Sequence, residues 1–159
     1  MSRVYHNAPT TPADLTNMLE NMSPEDRDEA NDYGIPVRRL LWKSYRNSLW
    51  RKSHFVNGEL CAISAVSGTL LGGVGHPWIC TTPVIERVPL TYFREARREI
   101  ETMLRIFPRL ESMISAKNLK ALKFFRLIGF VVFPEEAGSL FCKIVREREN
   151  VSRETSGTG

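Results

Sequence analysis

The chain has 159 residues, of which 42% are hydrophobic and 25% are charged. This balance favours one folded domain with a buried core, and it excludes a wholly disordered or fibrous chain. The formal net charge is +4, yet acids are concentrated in residues 1–36 and bases in residues 37–52. That distribution suits either a polyanionic partner or a solvated helix face.

Three short helices are predicted in the first third of the chain, over residues 12–21, 24–33 and 36–50. Thr11-Pro12-Ala13-Asp14 and Ser23-Pro24-Glu25-Asp26 share one pattern: a hydroxyl at the N-cap, proline in the first turn and an acid three residues after the cap. In the third helix apolar residues recur every three or four positions, so its bases fall on the opposite face.

A β region follows, with strands predicted over residues 53–56, 59–67 and 76–82. Asn57-Gly58 separates the first two strands and predicts a tight hairpin. Residues 60–85 carry no formal charge and are long enough to span a bilayer, but their glycines and prolines favour buried strands of a soluble protein. The three cysteines are scattered through apolar stretches, which predicts reduced thiols in a cytosolic protein and neither disulfides nor a metal site.

The second half of the chain alternates helices with strands. The predicted elements span residues 91–107 (helix), 111–116 (strand), 118–128 (helix), 130–133 (strand) and 140–145 (strand). This order predicts an α/β (α+β) fold in which one mixed sheet is covered by helices on both faces. We expect a single domain over residues 11–147, between a flexible N-terminus (residues 1–10) and a flexible C-terminal tail (residues 148–159).

The segment from Asn118 to Phe130 contains the most informative motif. Asn118 is followed three residues later by Ala121, then by the aromatic pair Phe124-Phe125, and Gly129-Phe130 opens the next strand. This pattern resembles the last helix of the GNAT (Gcn5-related N-acetyltransferase) superfamily. The resemblance implies the acyl-CoA N-acyltransferase fold of that superfamily.

A wider resemblance covers residues 11–147. The order of its motifs is similar to GNAT-like proteins of tailed bacteriophages, including the internal virion protein A group of short-tailed phages. That resemblance implies a role in virion morphogenesis, through contacts with phage structural or assembly proteins in the host cytoplasm or in the virion. The motifs are Asn21-Met22, Ser23-Pro24-Glu25-Asp26, a helix ending near residues 48–50, Asn57-Gly58 and Gly75-His76-Pro77-Trp78.

The resemblance also indicates where an acyl-CoA site would be altered. The family cradles the pyrophosphate with Gln/Arg-x-x-Gly-x-Gly/Ala at the start of the long helix, where backbone N–H groups approach the phosphates. The matching stretch here is Arg87-Val88-Pro89-Leu90-Thr91-Tyr92, in which only Arg87 fits and Pro89 has no N–H. We therefore expect a degenerate site, with Arg87 and Thr91 as contacts if acyl-CoA binds.

The family's proton donor is missing as well. Many members have a tyrosine at the position of Phe125, and its phenol protonates the departing thiolate. Phe125 has no proton to give, so it could only contact the cofactor. Asn118 in the family bonds the pantetheine arm or the backbone of a splayed strand, although an N-cap of its own helix is its simpler role here.

No strong general base stands out in the sequence. The strand expected beside the thioester offers Thr81 and Thr82 as cofactor contacts but no carboxylate. His76, acting through a water, and Glu86 are the weak catalytic candidates. Trp78 is expected to pack in the core, with lining of a cleft as the other possibility.

The bases of the third helix form a separate candidate surface. Arg38, Arg39, Lys43 and Arg46 could contact an acidic partner protein or DNA, but no nucleic-acid-binding motif accompanies them. A solvated face is the simpler explanation.

Three functions follow from these observations. The leading prediction is a phage-encoded GNAT-fold protein that acts in virion assembly by protein–protein contact, with a degenerate acyl-CoA site. The alternative is an active N-acetyltransferase that transfers the acetyl group of acetyl-CoA to an amine of a host or phage substrate. A polyanion-binding accessory protein is the third, and the sequence leaves enzymatic activity open because fold alone does not fix function.

Overall fold

One seven-stranded sheet organises residues 3–149, the part of the chain that the computed structural model describes. The strands are β1 (Tyr5–Pro9), β2 (Ser48–Val56), β3 (Glu59–Thr69), β4 (Val74–Thr81), β5 (Arg109–Ser115), β6 (Val131–Val132) and β7 (Phe141–Glu147). The helices are α1 (Pro12–Asn21), α2 (Pro24–Asp32), α3 (Val37–Asn47), α4 (Pro89–Ile106) and α5 (Leu119–Leu127). Short 3₁₀ turns occupy Leu70–Gly72 and Pro83–Arg87.

The strand order is β1-β2-β3-β4-β5-β7-β6, and β4 and β5 are its parallel neighbours. These two strands pair at only two positions, Val74 with Arg109 and Gly75 with Leu110. Beyond that point β4 continues along β3 as far as Thr81, and β5 continues along β7 as far as Ser115. The sheet therefore opens into a V between its two central parallel strands.

Helices cover both faces of the sheet, as the sequence predicts. On one face α4 and α5 bury side chains such as Ile100 and Phe125 in one apolar cluster. On the other face α1 and α3 pack Leu15 and Leu41 against Ile63 of β3. The burial of these apolar side chains stabilises the arrangement of the sheet between two helical layers.

Several local predictions are confirmed. Thr11 caps α1 in a reciprocal capping box with Asp14. Asn57 and Gly58 connect β2 to β3 with φ angles of 50° and 80°, the left-handed pair that a tight hairpin turn requires. Residues 60–85 form mainly β3 and β4, and within residues 3–149 no helix has the length and apolarity needed to cross a membrane.

The N-terminal segment departs from its predicted flexibility. Residues 5–9 form β1, which pairs with β2 in an antiparallel register from Tyr5 opposite Val56. The Tyr5 hydroxyl bonds to the buried His54, whose Nε2 lies 2.6 Å from Glu99 Oε1 on α4. These contacts are far apart in the sequence, so the short polar segment gives no local signal of a strand.

The end of the third helix was also predicted too late. α3 ends at Asn47, and residues 48–50 already belong to β2. Leu49, which the 36–50 helix prediction counts among its apolar residues, is 54% exposed in β2. At the C-terminus Arg148 donates from its backbone N–H to the Pro108 carbonyl, while residues 150–159 of the predicted tail lie outside the described residues.

Gly75 makes the junction of β4 and β5 possible, which leads to a first prediction. A Cβ atom at this position would lie 2.5 Å from Phe107 Cδ2 and 3.0 Å from Leu110 Cδ2. Gly75→Ala is therefore expected to lower the free energy of unfolding by about 1–3 kcal/mol through overpacking. Combining it with Phe107→Leu should cost less than the sum of the two single changes, because the smaller side chain leaves room for the added methyl group.

Urea denaturation of the two single variants and the double variant measures this coupling. Strictly additive losses would contradict the proposed close approach of Gly75 to Phe107.

Candidate active site

The gap between β4 and β5 contains a cavity of about 510 Å³. Its walls come from residues 77–81 of β4 and 112–114 of β5, from α2 and α3 on one side, and from the start of α4 and the face of α5 on the other. A volume of this size is typical of small-molecule sites.

The edge of β4 that faces the gap carries backbone groups with no strand partner. The Thr82 N–H donates to the Cys61 carbonyl, so even-numbered residues of β4 bond to β3. Pro77, Ile79 and Thr81 therefore point their backbone groups toward β5. Pro77 has no N–H, and within residues 3–149 no atom outside the strand ladder bonds to the Ile79 N–H or carbonyl. Ile79 thus presents a free donor and a free acceptor to the cavity.

The start of α2 is attached to β4 through Thr81. The Ser23 N–H donates to the Thr81 carbonyl at 2.8 Å, while the Thr81 N–H and hydroxyl both donate to Asp26 Oδ2 at 2.7 Å. Ser23 makes no side-chain capping bond, in contrast to Thr11, although both begin the same sequence pattern. The polar side chains that would cap α2 are used to hold one arm of the V.

The next turn of α2 is attached to the other arm. Glu29 accepts hydrogen bonds from the Ser115 N–H at the end of β5 and, at 3.0 Å, from Asn118 Nδ2. Asn118 Oδ1 accepts from the Ala121 N–H at 3.2 Å, which is the predicted N-cap of α5. One helix turn therefore spans the opening and fixes both strands at their C-terminal ends.

Burial changes the acidity of both α2 carboxyl groups. It raises the pKa of Asp26, and the hydrogen bonds from Thr81 only partly oppose this effect. Burial also raises the pKa of Glu29, opposed by the bonds from Ser115 and Asn118. Partly buried carboxyl groups whose pKa values are raised exchange protons closer to neutral pH than exposed ones, which suits acid–base chemistry.

The mouth of the cavity is marked by Lys120, whose Nζ lies 3.6 Å from Glu25 Oε1 and 3.5 Å from Glu86 Oε1. All three side chains are exposed, so these ion pairs contribute little to stability. Among the described residues that line the cavity, four are acids and Lys120 is the one base. The acids are Glu25, Asp26, Glu29 and Glu86, so the electrostatic potential of the site is negative.

An aromatic wall closes the side of the cavity next to α4 and α5. The Tyr92 ring stacks on Phe124 with centroids 5.8 Å apart, and Phe124 packs edge-on against Phe125 at 5.6 Å. Tyr92 is only 4% exposed, and its hydroxyl has no hydrogen-bond partner among the described residues. Burial raises the pKa of this phenol, so it retains its proton.

Four of the residues that the sequence suggested for the site line the cavity: Thr81, Glu86, Asn118 and Phe125. Trp78, expected mainly in the core, lines it too and donates from Nε1 to Ser48 Oγ at 3.0 Å.

The structure places the other four elsewhere. His76 is exposed outside the cavity, with Nδ1 3.0 Å from the Glu111 carbonyl oxygen. Thr82 is buried, and its hydroxyl donates to the Leu60 carbonyl and accepts from the Val84 N–H as the cap of the following 3₁₀ turn. Arg87 forms an ion pair with Glu59, and Thr91 is an exposed residue of α4. None of the four lines the cavity.

Asp26, Glu29 and Tyr92 are the site residues that sequence reasoning missed. Asp26 looked like part of a capping motif, and Tyr92 looked like a replaced cradle residue. A usable signal exists for the two acids, since they are three residues apart and share one helix face. Only the three-dimensional structure places that face over the gap.

The sequence matches no protein-family model and no curated protein. Solved structures of GNAT-family proteins, however, superpose on most of the chain. The GNAT domain of S. lividans PAT is 11% identical with a TM-score of 0.69, and the match covers 91% of this chain and 90% of that one. The ribosomal-protein-S18-alanine N-acetyltransferase of Escherichia coli is 16% identical with a TM-score of 0.60, covering 89% and 91%.

A third similar structure is the PaiA N-acetyltransferase of Thermoplasma acidophilum in complex with coenzyme A. It is 11% identical, with a TM-score of 0.65 and coverage of 93% of this chain and 100% of that one. At these identities the likeness defines the fold. The predicted GNAT fold, a mixed sheet with helices on both faces, is therefore confirmed.

The environment of Asp26 generates a second prediction. Asp26→Asn should raise the melting temperature at pH 7, because it removes a partly buried charge while its amide oxygen can still accept both bonds from Thr81. A raised pKa means that the wild-type chain loses stability as the pH rises from 3.8, the ordinary value, through the folded-state value. The gain should therefore vanish below pH 3.8.

Melting curves across pH measure this effect. Asp28→Asn is the matched control, since Asp28 is exposed on the same helix and its loss should change stability by no more than about 0.5 kcal/mol. A lower melting temperature for Asp26→Asn at pH 7, or a gain that does not depend on pH, would contradict the burial argument.

Proposed function

We propose that the protein is an acetyl-CoA-dependent N-acetyltransferase, which transfers the acetyl group to an amine of a host or phage substrate. The observation that carries this proposal is the gap between β4 and β5, with the unpartnered backbone groups of Ile79 on its edge. The GNAT fold of the chain supports it, as does the coenzyme A complex of one similar structure.

The cavity suits the acetyl group and the pantetheine arm of acetyl-CoA. The Ile79 N–H is a rigid donor for the acetyl carbonyl oxygen, and it would stabilise negative charge that develops there. Trp78, Phe124 and Phe125 supply apolar walls for the pantetheine arm. Acetyl-CoA supplies an activated acyl group, while the chain positions that group and moves protons.

The pyrophosphate end of the ligand would meet the N-terminus of α4. Helix geometry leaves the Leu90 and Thr91 N–H groups there without intrahelical acceptors, which suits an anion. The Leu90 side chain is 72% exposed, so it is not packed over this helix end. Arg87 is paired with Glu59 and would contribute only after leaving that partner.

Isothermal titration calorimetry with acetyl-CoA provides a third prediction. We expect saturable binding with one site per chain. Ala121→Phe should weaken it by roughly tenfold or more, because Ala121 lines the cavity and the new ring would fill the gap. Leu127→Phe places the same ring on the same helix, where Leu127 is 62% exposed and outside the cavity, and should leave the affinity unchanged.

The absence of binding heat at millimolar acetyl-CoA, together with an unchanged melting temperature, would contradict the proposal. Equal effects of the two variants would mean that the ligand binds somewhere other than the gap.

A second candidate function is virion assembly, supported by the sequence resemblance to phage proteins such as internal virion protein A. Arg38, Arg39, Lys43 and Arg46 are exposed on α3, and no salt bridge within residues 3–149 involves them. These free bases suit an acidic phage assembly protein in the host cytoplasm or virion, or packaged DNA.

Charge reversal of Arg38, Arg39 and Lys43 to glutamate gives a fourth prediction. If this face binds an acidic partner, the triple variant should abolish particle assembly and still bind acetyl-CoA as the wild type does. Reversal of Arg94, Arg98 and Arg105, three exposed bases of α4, is the matched control. Normal assembly with the α3 variant would remove this candidate.

A further inference from the structure

We propose that the outward face of α3 binds a single-stranded nucleic acid, whose phosphates pair with its bases while a nucleobase stacks on Trp42. This surface, the basic–aromatic face, consists of Arg38, Arg39, Trp42, Lys43, Tyr45, Arg46 and the neighbouring Arg51 of β2. The opposite side of α3 lines the cavity with Val37, Leu40, Leu41 and Ser44. Nucleic-acid binding would therefore be a function additional to acetyl transfer, and it does not depend on a role in virion assembly.

The charge of the basic–aromatic face favours a polyanion. α3 has no acidic residue, and neither its four bases nor Arg51 forms a salt bridge with a carboxylate of residues 3–149. The exposed side of α4 differs, because Arg98 pairs there with Glu95, and Glu101 pairs with Arg146 of β7. Bases that lack such partners on their own protein are available to the phosphates of a bound strand.

The placement of these bases costs stability in the free protein. Arg38 and Arg39 occupy the first turn of α3, where the helix dipole disfavours positive charge, and the N-cap residue Pro36 makes no side-chain hydrogen bond. Arg39 and Lys43 are four residues apart, so their like charges repel each other along the helix. α1 and α2 have acids in their first turns instead. A bound anion would offset this repulsion.

Trp42 adds a stacking surface in the middle of the bases. Arg38 lies one turn before it and Arg46 one turn after it, each about 6 Å away along the helix axis. The indole is partly exposed, because it packs against the apolar cluster that contains Leu15 and keeps part of its surface in solvent. A nucleobase on this ring would have one guanidinium for the phosphate on each side of it.

Tyr45 and Arg51 extend the aromatic part of the surface. The Tyr45 ring meets Trp42 edge-on with centroids 5.9 Å apart, and Arg51 Cζ lies 4.1 Å from the centroid of the Tyr45 ring. Arg51 Nη1 also donates to the Tyr45 carbonyl at 2.6 Å, so its guanidinium plane is held in place. A fixed guanidinium plane beside two aromatic rings is a second surface on which a base can stack.

The aromatic groups favour a single strand over other polyanions. In a duplex both faces of each base are covered by neighbouring bases, so none is free to stack on Trp42. A segment of acidic protein would pair with the bases but gain nothing from stacking. Every nucleobase has a flat face, so stacking of this kind tolerates any sequence. We therefore expect binding with little sequence preference.

Fluorescence anisotropy of labelled oligothymidine and oligouridine, each about 12 nucleotides long, tests the proposal with the whole chain. We expect saturable binding of both probes, because neither stacking nor phosphate pairing requires a particular sugar. The affinity should fall roughly 100-fold between about 50 and about 200 mM salt if all five bases pair with phosphates.

Three variants separate stacking from charge. Trp42→Leu should weaken single-strand binding by roughly tenfold without changing its salt dependence, whereas Trp42→Phe should keep most of the affinity because it retains an aromatic face. Arg38→Gln combined with Arg46→Gln should weaken binding and lower the slope of log affinity against log salt by about 1.4. Both arginines are exposed, so this variant tests the proposal even if Trp42→Leu fails to fold.

Arg94→Gln combined with Arg105→Gln is the matched control. Both arginines are exposed on α4, and neither takes part in a salt bridge in the described part of the chain. This variant should bind the probes with the affinity and salt dependence of the wild type. An equal loss of binding in the α3 and α4 double variants would overturn the proposal.

Two further results would overturn it. One is the absence of binding of either oligonucleotide at about 50 mM salt. The other is wild-type affinity in Trp42→Leu together with full competition by polyglutamate, since the face would then suit an acidic protein. Titration of the same variants with acetyl-CoA is a separate readout, because none of the substituted residues lines the cavity. Failure of acetyl-CoA to bind would contradict the proposed function and leave this inference standing.

Discussion

The incomplete pairing of β4 with β5 is the constraint on which the rest of the structure depends. Parallel strands that separate after two paired positions leave backbone donors and acceptors exposed within the sheet. Gly75 permits the close approach to Phe107 at the last paired position, and the chain then has to satisfy or use the groups beyond it. The protein does both: α2 occupies the backbone of Thr81 and Ser115, while Ile79 is left facing the cavity.

The attachment of α2 to both strands comes at a cost in stability. Asp26 and Glu29 are partly removed from water, and no salt bridge among residues 3–149 involves either of them. Hydrogen bonds from neutral groups only partly offset the loss of hydration. The comparison with Thr11 and Asp14 is informative, because there the same sequence pattern forms an ordinary capping box. Residues that break a local structural rule, as Ser23 and Asp26 do, are expected where function requires it.

The local elements of this fold could be predicted from sequence, and the site could be predicted only in part. The spacing of apolar residues predicted most helices and the Asn57-Gly58 turn predicted the hairpin, because these signals act over a few residues. β1 was missed because Tyr5 and His54 meet across 49 positions of the chain. The family motif led to Asn118 and Phe125, which do line the cavity.

The α2 carboxylates Asp26 and Glu29 were missed for a related reason. Nothing in the sequence of α2 indicates that Asp26 reaches Thr81, 55 residues away, or that Glu29 reaches Ser115, 86 residues away. His76 shows the opposite error, since a histidine beside the predicted thioester strand suggested a base, yet its ring bonds to the Glu111 carbonyl outside the cavity. His76 directly follows Gly75, the last position at which β4 pairs with β5, so it lies at the closed end of the gap.

A crystal structure of the protein grown with saturating coenzyme A tests the central claim most directly. The account predicts that the pantetheine arm lies between β4 and β5, bonded to the Ile79 backbone, with Asp26 still holding Thr81. Coenzyme A bound outside the gap would contradict the account, and so would β4 and β5 that remain hydrogen-bonded to each other beyond Gly75 and Leu110.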